Sequence, residues 1–111
     1  MILRVETILF IETWSFAVDR MREISRVLAR TDDEKIIESF LKSILTPSEI
    51  GEVSSRWELV KLLHEGMSQR KIAESLGLSL CKITRGSREL KKKNSPFLYM
   101  INLLKQGTHS Q

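Results

Sequence analysis

The sequence predicts an all-α chain of about six helices, and three observations carry that expectation. Apolar residues recur at intervals of three and four from Ile24 onward, and no stretch shows clean period-two alternation. Hydroxyl residues suited to N-capping stand before the apolar runs, at Thr46, Ser68 and Ser79. Glycines suited to helix stops follow them, at Gly66, Gly77 and Gly107.

The elements follow in order. A first helix ends near Ala29, carrying Ile24, Val27 and Leu28, and its start is open. Thr31 or Asp32 is expected to cap a second helix bearing Ile36, Ile37, Phe40, Leu41 and Ile44. Thr46-Pro47-Ser48-Glu49 starts a third: Thr caps, Pro takes the first helical position, and Glu49 stands three residues after the cap. Ile50, Val53, Trp57, Val60 and Leu63 would form its buried face. Ser68 opens a short fourth helix with Ile72, Ala73 and Leu76, ending at Gly77, and Ser79 opens a fifth with Leu80, Ile83 and Leu90. A polar break at Lys91-Lys92-Lys93-Asn94-Ser95-Pro96 precedes a sixth, which holds Phe97, Leu98, Met100, Ile101 and Leu104 and stops at Gly107.

At 111 residues the chain is long enough for one domain. A chain of this length buries only about two-thirds of its unfolded surface, so pairing with a second copy would add needed burial. The single cysteine, Cys81, excludes an internal disulfide and suits the cytoplasm. Residues 1–20 read as an N-terminal extension of uncertain structure, and 21–111 as the helical domain. Arg4, Glu6, Glu12 and Asp19 interrupt the apolar opening, so neither a membrane span nor a secretory signal is expected. Met21 offers an alternative start. If Met1 is the start, Ile8, Ile11, Trp14 and Val18 form an apolar face in need of a partner.

Charge is divided along the chain. From Met1 to Glu65 there are nine Lys/Arg against twelve Asp/Glu; from Gly66 to Gln111 there are nine against two. The basic character belongs to the C-terminal part, the footprint of a polyanionic partner.

That part also carries the most specific local pattern, a helix-turn-helix over 67–90. Two short helices crossing steeply need a small residue where they touch and a turn residue tolerant of left-handed backbone. Ala73 and Gly77 supply these, and Ile72, Leu76, Leu78 and Ile83 fall at the buried positions. Ser79, Cys81, Lys82, Thr84, Arg85, Ser87, Arg88 and Lys91 would give the second helix a small, polar, basic exposed side. Gln69 at the head of the first helix is placed to hold a phosphate. An ordinary helical hairpin is the plain alternative, though one of no function would carry carboxylates on that side too.

Met67-Ser68-Gln69-Arg70, Ile83-Thr84-Arg85-Gly86-Ser87 and Leu45-Thr46-Pro47 closely resemble the tryptophan-repressor family, over roughly Asp32 to Leu104. The resemblance implies six helices per chain and two chains interlaced into a homodimer. It implies L-tryptophan as co-repressor, its indole held between Arg56 and Arg85; guanidinium–indole stacking contributes about 0.5–2 kcal/mol per contact. Arg85 and Thr46 would meet the ligand carboxylate, the backbone around Ser43 and Leu45 its ammonium, and Gly86 would leave room for the ring. Taken singly, Arg56 is equally a surface arginine beside Trp57, and Arg85 a phosphate contact.

The sequence departs from the family in places. Glu89 replaces a serine that helps hold the ammonium; its carboxylate either pairs with that group or is solvated. Ser43 replaces a leucine, Ala73 replaces a lysine of the first DNA-binding helix, and the turn before Met67 is one residue shorter.

The implied function is a repressor of tryptophan biosynthesis or uptake genes that binds double-stranded operator DNA. Ser79, Leu80, Lys82 and Thr84 would approach base edges, and Gln69, Arg70, Arg88 and Lys91 the phosphates, with Ala73 and Ser87 also on the DNA-binding elements. Two reading helices in a dimer would stand about one DNA turn apart, about 34 Å. The other readings are a protein of the same fold answering to another ligand or none, a protein-interaction or nucleoid module, and the DNA-binding tail of a recombinase or transposase. No enzyme and no metal site are expected, because His64, His109 and Cys81 stand apart from any catalytic or ligating partner in the sequence.

Overall fold

The structure is a computed structural model that describes residues 5–109, with side chains over 6–107. Arg4 and the side chain of His109 lie outside the described residues. Every described element is helical, and there are six: α1 (Val5–Ala29), α2 (Glu34–Ile44), α3 (Pro47–His64), α4 (Gln69–Leu76), α5 (Leu80–Lys91) and α6 (Pro96–His109). They fall into two compact units, the first ending at Ile44 and the second beginning at Leu45. No described helix is long and apolar enough to cross a membrane.

The first unit is a helix pair. α1 runs unbroken through residue 20. The cap of α2 differs from the expected Thr31 or Asp32. Thr31 finishes α1 instead, its hydroxyl donating to the Val27 carbonyl at 2.9 Å. Asp33 caps α2: its Oδ1 accepts from the Lys35 N–H at 2.9 Å, and its carbonyl accepts from the Ile37 N–H. Val27, Leu28, Ile36, Ile37 and Phe40 form a shallow apolar groove within the pair. No described residue of this unit is fully buried. Ile36, Leu41 and Ile44 of α2 stand exposed, as do Phe10, Trp14 and Phe16 of α1.

The second unit holds the core, and local chemistry sets its helices. Thr46 and Glu49 form a reciprocal capping box at the head of α3: Thr46 Oγ1 accepts from the Glu49 N–H at 3.2 Å, and Glu49 Oε1 accepts from the Thr46 N–H at 2.9 Å. At the other end Gly66 takes φ +94°. Its N–H donates to the Leu63 carbonyl and the Met67 N–H to the Leu62 carbonyl, so two otherwise unpaired carbonyls are satisfied as the chain reverses into α4.

Leu59, Ile72 and Ile83, one each from α3, α4 and α5, are at most 1% exposed and form the centre of the core. Leu62, Leu63, Met67, Ala73, Leu76 and Leu78 pack around them. The expected face of α3 is therefore corrected. Val60 is buried, but Val53 is half exposed, and Leu59 does the central packing. Apolar residues lie on more than one side of α3, and the side that α4 and α5 need is the one bearing Leu59, Leu62 and Leu63. α6 runs through Gly107 to His109, past the expected stop. Gly107 is not among the positive-φ glycines, so the backbone there turns no corner.

Candidate ligand cleft and nucleic-acid interface

The helix-turn-helix rests on three local devices. Ser68 Oγ accepts from the Lys71 N–H at 3.2 Å and opens α4. Gly77 closes α4 with φ +65° and ψ +32°, its N–H donating to the Ala73 carbonyl. Ser79 Oγ accepts from the Lys82 N–H at 3.4 Å and opens α5. The turn is thus two residues past a left-handed glycine, and it swings α5 across α4 over Ile72 and Ile83.

The outer side of this pair is polar and basic. Gln69, Arg70 and Lys71 are exposed on α4. Ser79, Leu80, Cys81, Lys82, Thr84, Arg85, Arg88 and Lys91 are exposed on or beside α5. Nothing in the spacing of Lys71 separates it in the sequence from an ordinary surface lysine. Ser87 is a correction: expected on the exposed side, it is only 8% exposed. It follows Ile83 by four residues and shares its inward face. Ala73 is half buried against the core, the small contact that the crossing requires.

Between α3 and α5 lies a cleft of about 370 Å³, within the range of small-molecule sites. It brings together four of the residues singled out from sequence: Arg56 from α3, and Arg85, Gly86 and Glu89 from α5. Leu59 and Val60 give it an apolar floor. Lys82, Cys81 and Phe97 also line it. Phe97 had no local signature beyond its place in an apolar helix. Its position is set by Ser95, 3% exposed, whose Oγ accepts from the Leu98 N–H and starts α6.

Gly86 is where α5 comes closest to α3. A Cβ there would stand 3.0 Å from Leu59 Cδ2 and 3.6 Å from Val60 Cγ1. The missing side chain lets the helices meet and keeps the cleft floor open. Arg56 is exposed and within 3.8 Å of Glu52. Glu89 accepts from Lys92 Nζ at 2.8 Å. That hydrogen bond chiefly, helped by the charges of Lys92, Arg85 and Arg88, holds its carboxyl below the ordinary carboxylate value. Glu89 therefore enters the cleft as an anion among cations.

Three other candidates lie elsewhere. Ser43 is on α2 in the first unit, its hydroxyl donating to the Ser39 carbonyl. Leu45 and Thr46 begin the second unit and are not among the cleft's lining residues. Thr46 Oγ1 accepts in the capping box, which leaves its O–H free of that duty. Among the described residues no group of three or more His, Cys, Asp and Glu could hold a metal ion.

The family model for Trp repressor protein matches residues 19–105. A Trp operon repressor homolog of Vibrio vulnificus (strain YJ016) is 34% identical over 88 residues, 78% of this chain and 86% of its own length. Homologs of the same name from Chlamydia trachomatis serovar D and Xylella fastidiosa (strain M23) are each 37% identical over 70 residues. Those matches cover 62% of this chain and 74% and 76% of theirs. No solved structure matches the chain. The family match takes in the helix-turn-helix, the cleft and the second half of α1, and by it the chain belongs to the Trp repressor protein family.

Proposed function

We propose that the chain is a transcriptional repressor that binds operator DNA through α4 and α5 and takes L-tryptophan as co-repressor in the cleft between α3 and α5. The observation that carries the reading is the convergence of Arg56, Arg85 and Gly86 on one cleft beside the reading helix. Two guanidinium groups over an apolar floor suit a flat aromatic ring bearing a carboxylate. A ligand there touches α5 directly, so it can bias how that helix is presented to DNA. Such coupling is reciprocal, and typically amounts to about 1–3 kcal/mol. Base contacts fall to Ser79, Leu80, Lys82 and Thr84, and phosphate contacts to Gln69, Arg70, Arg88 and Lys91. Ser43, Leu45 and Thr46 lie outside that cleft's lining and stand as ligand contacts on the family resemblance alone.

The working molecule is a cytoplasmic homodimer, and regulation rather than catalysis is its role. Ile36, Leu41 and Ile44 stand exposed on α2, and that apolar surface supports pairing. The repressor domain is taken as 21–111; the family match covers 19–105, while α1 crosses residue 20 without a break.

Calorimetry with L-tryptophan tests the ligand, and operator binding with and without tryptophan tests the coupling. One site per chain is expected, lost in Arg85→Ala, with operator affinity rising when tryptophan is present. Heat with a different amino acid and none with tryptophan would move the ligand while keeping the class. Operator affinity indifferent to salt would overturn DNA binding, because several phosphate contacts impose a steep dependence.

A further inference from the structure

Glu89 belongs to two neighbourhoods at once. Glu89 lines the cleft with Arg56 and Arg85. Its carboxylate holds Lys92 Nζ at 2.8 Å. Lys92 is the residue that closes α5, with Lys91 before it and Lys93 after it. The run of three lysines therefore presents fewer free charges than the sequence suggests, because its middle member is neutralised from the cleft side.

We propose that Glu89 is exchanged between Lys92 and the ligand: a ligand amine entering the cleft takes over the carboxylate and releases Lys92 as an additional phosphate contact. The inference rests on the co-repressor reading and deepens it, by making one DNA contact conditional on the ligand's amine.

The physical basis is competition for one negative charge. A carboxylate can accept several hydrogen bonds, but it compensates only one cation fully. The Glu89–Lys92 pair is exposed enough, at 35% and 57%, to be weak and easily traded. Lys92 first, and then the charges of Arg85 and Arg88, hold the Glu89 carboxyl below its ordinary value, so it meets an incoming ammonium as a carboxylate. An ammonium seated in the cleft is better shielded from water than Lys92, whose side chain is 57% exposed. A ligand with the same ring and carboxylate but no amine would fill the cleft and leave the Lys92 pair intact.

Calorimetry with L-tryptophan and with indole-3-propionate, on the wild-type chain and on Lys92→Gln, tests the exchange. Removing the competitor should tighten tryptophan binding about two- to five-fold, the worth of an exposed ion pair, and leave indole-3-propionate unchanged. A second readout is non-specific binding to a random-sequence duplex as salt is varied. With tryptophan the wild-type slope should be steeper than with indole-3-propionate by about 0.9 for each lysine engaged. Lys92→Gln should erase that difference.

If tryptophan binds and Lys92→Gln changes both affinities equally, or neither, the exchange is overturned and the co-repressor reading stands. If neither indole ligand binds, both are overturned.

Discussion

The Leu59 side chain packs into the space where Gly86 would carry a Cβ, at 3.0 Å from Cδ2. Leu59 is 1% exposed and has nowhere to withdraw. Gly86→Ala should gain about 1 kcal/mol of helix propensity and lose about 1–3 kcal/mol to overpacking. The expected net is a destabilisation of about 1 kcal/mol in urea unfolding. In a Leu59→Ala background the loss should vanish, which a double-mutant cycle would read as coupling between the two positions.

Gly77 makes a different demand. Its φ of +65° lies in the left-handed region, yet a Cβ there meets nothing within 4 Å. Space is available and conformation is not. Gly77→Ala should destabilise by about 1–2 kcal/mol, whereas Gly77→Asn should cost less. Equal effects of the two would remove the conformational explanation.

Glu49 gives the fold a mild dependence on acid. The Thr46 backbone N–H first, and its hydroxyl second, hold the Glu49 carboxyl below its ordinary 4.5. A group lowered in the folded state stabilises fully above its unfolded value, and that contribution disappears as pH falls through the lowered one. Stability of the wild-type chain should therefore fall more than that of Glu49→Gln as pH drops below about 4.5. Salt should change this difference little, since the partner is a dipole and not an ion.

Leu80 is 63% exposed at the first turn of α5. Leu80→Ala should leave unfolding within about 0.5 kcal/mol of wild type. Under the DNA-binding proposal it should weaken operator binding by about 1 kcal/mol or more, as loss of an apolar contact to a thymine methyl would. Unaltered operator affinity would take Leu80 out of the interface.

Signals confined to a few neighbouring residues were legible in the sequence. Thr46-Pro47-Ser48-Glu49, Ser68, Gly77 and Ser79 each do what their local chemistry dictates, because caps and left-handed turns are settled within one helical turn. Arg56 and Arg85 stand out in the sequence only through the family resemblance, and the fold brings them to one cleft. What depended on packing between helices was not legible. The choice of Leu59 over Val53, and the inward turn of Ser87, are set by where α5 crosses α3. The place of Phe97 is set by Ser95 at the head of α6. Asp33 in place of Asp32 was a local matter, decided by Thr31 folding back onto α1.

Under the homodimer proposal, the helix pair α1–α2, in which no described residue is fully buried, would tie the protein's stability to its own abundance. An element that cannot bury its apolar face alone gains most of its burial on association, so under the homodimer proposal folding there is bimolecular. The midpoint of thermal unfolding should rise with protein concentration, and a midpoint independent of concentration would refute that dependence. In a cell the amount of protein made would then set the fraction able to grip DNA, so that the rate of synthesis is a second input to the switch beside its ligand.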